Sequence, residues 1–245
     1  TRKYDLPQKV CNNYVPKFSF PSTHSIALNK IENESSLLII GSGSSELIKP
    51  FLAKSSYVHA FDMVEDSEHK QICNKFTLID LEKESIDNHL ERKHYDYVLL
   101  LDVIEHLSNP ELFMQDMLKN QNLKHSTFLI SVPNVAFIFV RFMLMFGFFN
   151  YGKRGILDQT HKRLFTKYSF CKLLLQSQLR IIKIQGVIPP FAFILKNRLV
   201  LKIVESIWSL LNKISPSMFA FQILAEVQLI PEVSELLLES IESSQ

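Results

Sequence analysis

The sequence predicts an α/β domain built on a parallel sheet with right-handed crossovers. Three observations lead there. Short apolar runs alternate with helix-like segments; the runs read as strands buried on both faces; and successive runs stop at a glycine turn or an aspartate.

Residues 1–30 are polar and punctuated by Pro7, Pro16 and Pro21, so they predict an irregular arm or cap with at most one short helix. Leu37 to Ile40 is the first strand, ended by Gly41, and Ser45 to Lys54 follows as a helix. Tyr57 to Phe61, Phe76 to Ile79 and Tyr97 to Leu101 are the next three strands, ended by Asp62, Asp80 and Asp102. Asn109-Pro110-Glu111 starts a helix: a capping side chain, a proline whose missing N–H costs nothing there, and an acid at the positive end of the dipole. Phe128 to Val132 is a fifth strand, stopped by Pro133.

The apolar stretch Val135 to Phe149 is broken by Arg141 and Gly147 and is shorter than the roughly 20 residues that span a bilayer. Thr166 caps a helix running to about Ser177. Arg180 to Gln185 is a sixth strand. Leu199, Ile203, Ile207 and Leu210-Leu211 recur at helical spacing, and Phe221 to Leu229 is a last strand. Glu232 to Gln245 is an acidic tail with the pattern of a frayed helix. The domain therefore runs over residues 31–231, with an apolar insertion at about 134–165 that forms a lid or acceptor segment.

A hydrophobic fraction of 47% and a charged fraction of 21% over 245 residues supply a sizeable core. The net charge of +2 leaves no footprint for nucleic acid or an anionic membrane, so no nucleic-acid partner is expected. Cys11, Cys73 and Cys171 are odd in number and far apart, which points to a reducing, cytoplasmic compartment. The chain opens on Thr1, and Lys3, Asp5 and Lys9 interrupt any apolar run, so no secretory signal is expected there. The oligomeric state is not encoded in any pattern found.

In open α/β sheets, ligands bind beyond the carboxyl ends of the strands. Here those ends carry Gly41-Ser42-Gly43, Asp62, Asp80 and Asp102. A glycine turn lets the backbone approach a ligand and offer its N–H groups. An acid about 20 residues further on accepts both ribose hydroxyls, which suits Asp62. Asp80 is placed to accept from an adenine amine, and the end of the fourth strand flanks the reactive part of a cofactor.

At this point the chain resembles class I S-adenosylmethionine-dependent methyltransferases. Leu37 to Ser45, His59 to Asp62, Ile79 to Glu82 and Leu101 to Leu107 look like their four motifs. Leu101-Asp-Val-Ile-Glu-His-Leu107, followed by Asn109-Pro110, is similar to the segment in ubiquinone-pathway O-methyltransferases. Arg141 to Thr166, with Tyr151, Arg154 to Asp158, Thr160-His161 and Arg163 to Thr166, resembles methyltransferases of surface-polysaccharide and glycosyltransferase systems, as does Pro216 to Gln222.

The resemblance implies a Rossmann-like, seven-stranded, mostly parallel sheet with helices on both faces and the last strand antiparallel. It implies S-adenosylmethionine as cofactor. Gly41, Ser42 and Gly43 would face its methionine part, Asp62 the ribose, Asp80 and Leu81 the adenine, and Asp102 and Val103 the transferred methyl, with Met63 also among the cofactor-binding residues. Two positions depart from the family: Ile39 stands where an acid is usual, and Ser45 where a third glycine is usual.

The expected function is methyl transfer to a hydroxyl of a sugar, a glycan or a lipid-linked small molecule. His106 and His161 are the candidate bases, with Asp158 to orient His161 and Arg163 to hold an anionic acceptor. Glu105 reads as serving a helix N-terminus. Asp102, Glu105, His106 and His161 also offer oxygen and nitrogen donors, but no metal is expected, because position 102 belongs to the cofactor pocket. The apolar insertion is either a lid helix packed on the domain or a mouth for a lipid-linked acceptor at the inner face of the membrane. Two other functions stand beside this one. A non-catalytic copy of the fold is motivated by Ile39 and Ser45. A nicotinamide-dependent oxidoreductase shares the glycine turn but wants a glycine where Glu46 stands.

Overall fold

The computed structural model describes residues 18, 20–65, 68–90 and 94–231. Most of the N-terminal arm, Cys11 and the acidic tail lie outside them.

The strands are β1 (Ser35–Ile40), β2 (Ser55–Asp62), β3 (Lys75–Leu78), β4 (Tyr97–Leu101), β5 (Thr127–Pro133), β6 (Leu179–Val187) and β7 (Gln222–Leu229). The helices are α1 (Thr23–Lys30), α2 (Ser45–Leu52), α3 (His69–Ile72), α4 (Pro110–Met117), α5 (Ile138–Met145), α6 (Lys167–Gln176), α7 (Arg198–Ile214) and α8 (Pro216–Phe219). One seven-stranded sheet runs in the order β3-β2-β1-β4-β5-β7-β6. The first five strands pair in parallel, and β7 is antiparallel to both of its neighbours. This is the Rossmann-like architecture expected from the sequence.

The sheet forms because its strands alternate apolar residues to two cores. Leu38 and Ile40 of β1, with Val98 and Leu100 of β4, enter one cluster with Phe113, Met114 and Met117 of α4 and Phe170, Leu173 and Leu174 of α6. Leu37 and Ile39, with Leu99 and Leu101, enter the opposite cluster with Ala27 of α1 and Ile48 and Phe51 of α2. A strand that is apolar at every position can only be buried on both sides. Each such side chain contributes about 1.5–3 kcal/mol when fully buried. Ile39 is apolar because its neighbours are: the place of the family's acid is packed beneath α1 and α2.

The helix signals act where the sequence puts them. Asn109 accepts from the backbone N–H of Leu112 at 3.0 Å as the N-cap of α4. Thr166 and Ser169 form a reciprocal cap on α6, and Ser22 and Ser25 do the same on α1. β6 is the sheet edge on the far side, and its charged Arg180 and Lys183 discourage further strand pairing.

The apolar insertion leaves and re-enters at a parallel bridge between Asn134 and Phe165. Within it, α5 (Ile138–Met145) lies near the start, and the rest of its described residues run as turns and bends. α5 ends in a Schellman turn: Gly147 has φ +77°, its N–H donates to Leu144, and Phe148 N–H donates to Met143. No helix among the described residues is long and apolar enough to cross a membrane.

Candidate active site at the strand ends

The strand order reverses between β1 and β4, and the loops following β1, β2, β3 and β4 lie side by side along one edge of the sheet. Gly41 has φ +70°, and its N–H and that of Ser42 both donate to the carbonyl of Phe61, at 2.9 and 3.0 Å. A Cβ on Gly41 would stand 2.5 Å from Cγ2 of Val103, so the β1 and β4 loops touch at a point that admits only glycine. Gly43, at φ +67°, gives its N–H to Oδ2 of Asp62 at 2.7 Å, and Ser42 Oγ lies 3.4 Å from the same oxygen. Oδ1 of Asp62 accepts from Val64 at 2.9 Å. Asp62 thus ties the β2 end to the glycine turn, while Met63 beside it is exposed.

Asp80 closes the β3 end. Its carboxylate accepts from Lys83 at 2.6 Å and from the backbone of Glu82 at 3.1 Å, and the Lys83 ammonium holds it below the usual carboxylate range. Leu81 lines a cavity of about 540 Å³ together with Leu107, Ser108 and Phe113. Ile79 N–H donates to the carbonyl of Asp62 at 2.8 Å, which links the β3 end to the β2 end.

Asp102 has a left-handed backbone, φ +60°, a conformation that aspartate tolerates better than most residues. Its Oδ1 accepts from Ser131 Oγ at 2.8 Å, and Gln222 Nε2 reaches Oδ1 and Oδ2 at 2.7 and 2.8 Å. Two further strands, β5 and β7, therefore hold the carboxylate that ends β4. Ser131 had a signal in the sequence: it is a hydroxyl inside the apolar run Phe128 to Val132. Gln222 had none, nor did His24 of α1, which lines a small cavity with Gly41, Ser42 and Leu101.

His106, from the turn after β4, and His161, from within the insertion, come together with ring centroids 4.8 Å apart. Nδ1 of His106 meets the carbonyl of Thr160 at 3.2 Å, and Nδ1 of His161 meets that of Ile156 at 2.9 Å. Each carbonyl can only accept, so each Nδ1 is the donor. Burial, and then the neighbouring His161, hold His106 below its ordinary value of 6.5. The carboxylate of Asp158 does not bond His161 as expected. It accepts from the backbone N–H and hydroxyl of Thr160, at 2.8 and 2.7 Å, and so fixes the carbonyl that orients His106. The guanidinium of Arg163 is ion-paired with Glu111, because the insertion folds back onto α4.

Glu105 is 1% exposed, and its carbonyl accepts from Lys162 and Arg163 at 2.9 and 3.0 Å. Donor atoms of Glu105, His106 and His161 all lie within 4.8 Å of one another, a carboxylate and two imidazoles that could hold a divalent ion. The Asp102 carboxylate, the other donor weighed in the sequence, is held by Ser131 and Gln222.

The chain matches a family described as a methyltransferase domain over residues 13–184. No curated protein matches it. Among solved structures it is similar to a 1,6-didemethyltoxoflavin-N1-methyltransferase of Burkholderia thailandensis with bound 1,6-didemethyltoxoflavin and S-adenosylhomocysteine, with 14% identity, 85% of this chain and 77% of that chain covered, and a TM-score of 0.53. It is also similar to a SAM dependent methyltransferase of Aquifex aeolicus, with 11% identity, 86% and 92% covered, and a TM-score of 0.52. At these identities the likeness is one of fold.

Proposed function

This chain belongs to the methyltransferase-domain family, and from that premise we propose that it uses S-adenosylmethionine to methylate a hydroxyl of a sugar, glycan or lipid-linked acceptor. One observation carries the cofactor reading. The glycine turn after β1 is bonded to the acid after β2 and packed against Val103 after β4, so backbone N–H groups and carboxylates share one edge of the sheet.

The residues fit the cofactor. Gly41 and Gly43, which carry no side chain, offer a bend with exposed backbone, Asp62 offers a carboxylate to ribose hydroxyls, and Asp80 and Leu81 stand at the next strand end. Bound there, S-adenosylmethionine would supply an electrophilic methyl on sulfur. The chain's own task is to align an acceptor and take its proton. His106 suits that task. It is neutral at pH 7, its Nδ1–H is held by Thr160, and its Nε2 is left to accept. His161, held in the same way, stands beside it to accept a hydrogen bond from the same or a neighbouring hydroxyl.

A sugar or lipid-linked acceptor is supported by the likeness of Arg141 to Thr166 to polysaccharide-linked methyltransferases and by the apolar surface of that segment. The free thiols of Cys73 and Cys171 suit a reducing cytoplasm.

Titration calorimetry tests the cofactor reading. S-adenosylhomocysteine should bind the chain, NADH should not, and Asp62→Ala should weaken binding about 100-fold, through the loss of charge-assisted bonds. An absence of heat with S-adenosylhomocysteine would leave the non-catalytic reading standing. Product analysis with glycosides and undecaprenyl-linked sugars tests the acceptor.

A further inference from the structure

The net charge of +2 conceals a segregation. The stretches 136–157 and 190–214 hold seven lysines and arginines against a single acid, Glu205. The same two stretches bear a large exposed apolar surface. In α7, Leu199, Ile203, Ile207, Leu210 and Ile214 recur at three- and four-residue spacing, so they form one stripe. That stripe faces outward: Leu199 is 69% exposed and Ile214 72%. In α5 and the turn after it, Phe142, Met145, Phe146 and Phe148 are exposed, Met145 to 80%. Trp208 joins the two helices. Its indole stacks on Phe139 at 5.9 Å and meets Phe191 edge-on at 5.2 Å, while its N–H donates to the carbonyl of Phe219. A helix of a soluble monomer turns its apolar stripe inward, and such proteins rarely leave so extended an apolar surface uncovered.

We propose that this α5–α7 face docks on an anionic lipid bilayer. Charge complementarity selects the occupant. Arg198, Lys202 and Lys213 flank the α7 stripe on one side by helical position, and Lys153 and Arg154 close the apolar turn after α5. None of these five pairs with a described carboxylate. Their long stems reach upward to phosphates while the aromatic and aliphatic groups enter the acyl boundary. A second copy of the chain would set one basic rim against another, which disfavours self-association through this face. No described helix is long and apolar enough to cross a bilayer, and the proposed contact is with the bilayer surface. The insertion that carries the apolar tip also carries His161, whose Nδ1 is held by Ile156 of the same segment. Docking therefore brings the segment that carries His161 to the lipid surface.

Flotation of the full chain with vesicles tests this, using phosphatidylcholine alone and an equal mixture with phosphatidylglycerol. The chain should float with the mixture, far less with phosphatidylcholine, and less again in high salt. Trp208, the chain's single tryptophan, should change emission on binding. Phe146→Glu and Ile207→Glu should each weaken binding about tenfold or more by removing apolar insertion. Lys153→Glu with Arg154→Glu should abolish the preference for phosphatidylglycerol. S-adenosylhomocysteine affinity should be unchanged in all of these variants, so loss of docking and loss of the cofactor reading are told apart. Three results would each overturn the proposal: no flotation with either vesicle, flotation indifferent to Phe146→Glu and Ile207→Glu, or a stable dimer in sedimentation that those two variants dissociate.

Discussion

Both imidazoles give their Nδ1 protons to backbone carbonyls, and this is what makes His106 usable as a base. The same two carbonyls come from residues that Asp158 and the Gly152–Asp158 bridge hold in place. His106→Gln should lower kcat by about 10²–10⁴-fold with a smaller effect on cofactor affinity. The pH dependence follows from its lowered affinity for protons. The neutral form persists below 6.5, so activity should fall only as pH drops further, and the acid limb should vanish in His106→Gln. Folding stability moves the same way: the unfolded chain protonates this histidine first, so stability declines as pH falls below 6.5. At the other end of the site, Gln222→Leu should cost about 1.5–3 kcal/mol in denaturant unfolding, because it strips a half-buried carboxylate of two bonds. Gln222 lay in a stretch noted only for its resemblance. Its partner is 120 residues away, and nothing in a linear pattern connects them.

The elements were legible because each rests on local chemistry. The capping residues Asn109 and Thr166, the proline at the start of α4, and the all-apolar strands each act over a few residues, so their signals survive in the chain order. The insertion was legible as apolar but not as a shape. Its helix stops at Met145 because Gly147 takes a left-handed conformation, so that its own N–H and that of Phe148 return to the last carbonyls. Gly147 has open space around its Cα, so Gly147→Val should act through backbone strain alone. It should cost about 1–2 kcal/mol locally. Faster amide hydrogen exchange at position 147 and Phe148, with core amides unchanged, would show it. Unchanged exchange at those two amides would show that the turn does not depend on glycine.

Across the molecule, Glu82 links three parts of the site that lie far apart in sequence. Its carboxylate accepts from the backbone of Ser108 at 2.6 Å and is ion-paired with Lys162 of the insertion. Those partners, Lys162 foremost, hold Glu82 at about 2 rather than 4.5. A depressed carboxylate adds stability above its unfolded value and loses it as pH falls through the folded one. The contribution should therefore fade between pH 4.5 and about 2, and it is small because the pair is partly exposed to solvent. Thermal melts across that window should show a shallower pH slope for Glu82→Gln. The charge segregation also belongs to this scale: a net charge of +2 over the whole chain hid the basic excess that the fold gathers beside the apolar face.

What the amino-acid order determined by itself was the sheet, its parallel run, the glycine turn and the aspartates at the strand ends. All of these depend on periodicity and on neighbours a few residues apart. Only the tertiary structure decided which groups those aspartates touch, that the Asp158 carboxylate serves Thr160 rather than the His161 ring, that Arg163 is already paired, and that the α7 stripe faces outward. The reason is physical. An amphipathic pattern states that a helix has an apolar side but not what lies opposite it, and a side chain's partner is set by where distant strands and loops converge.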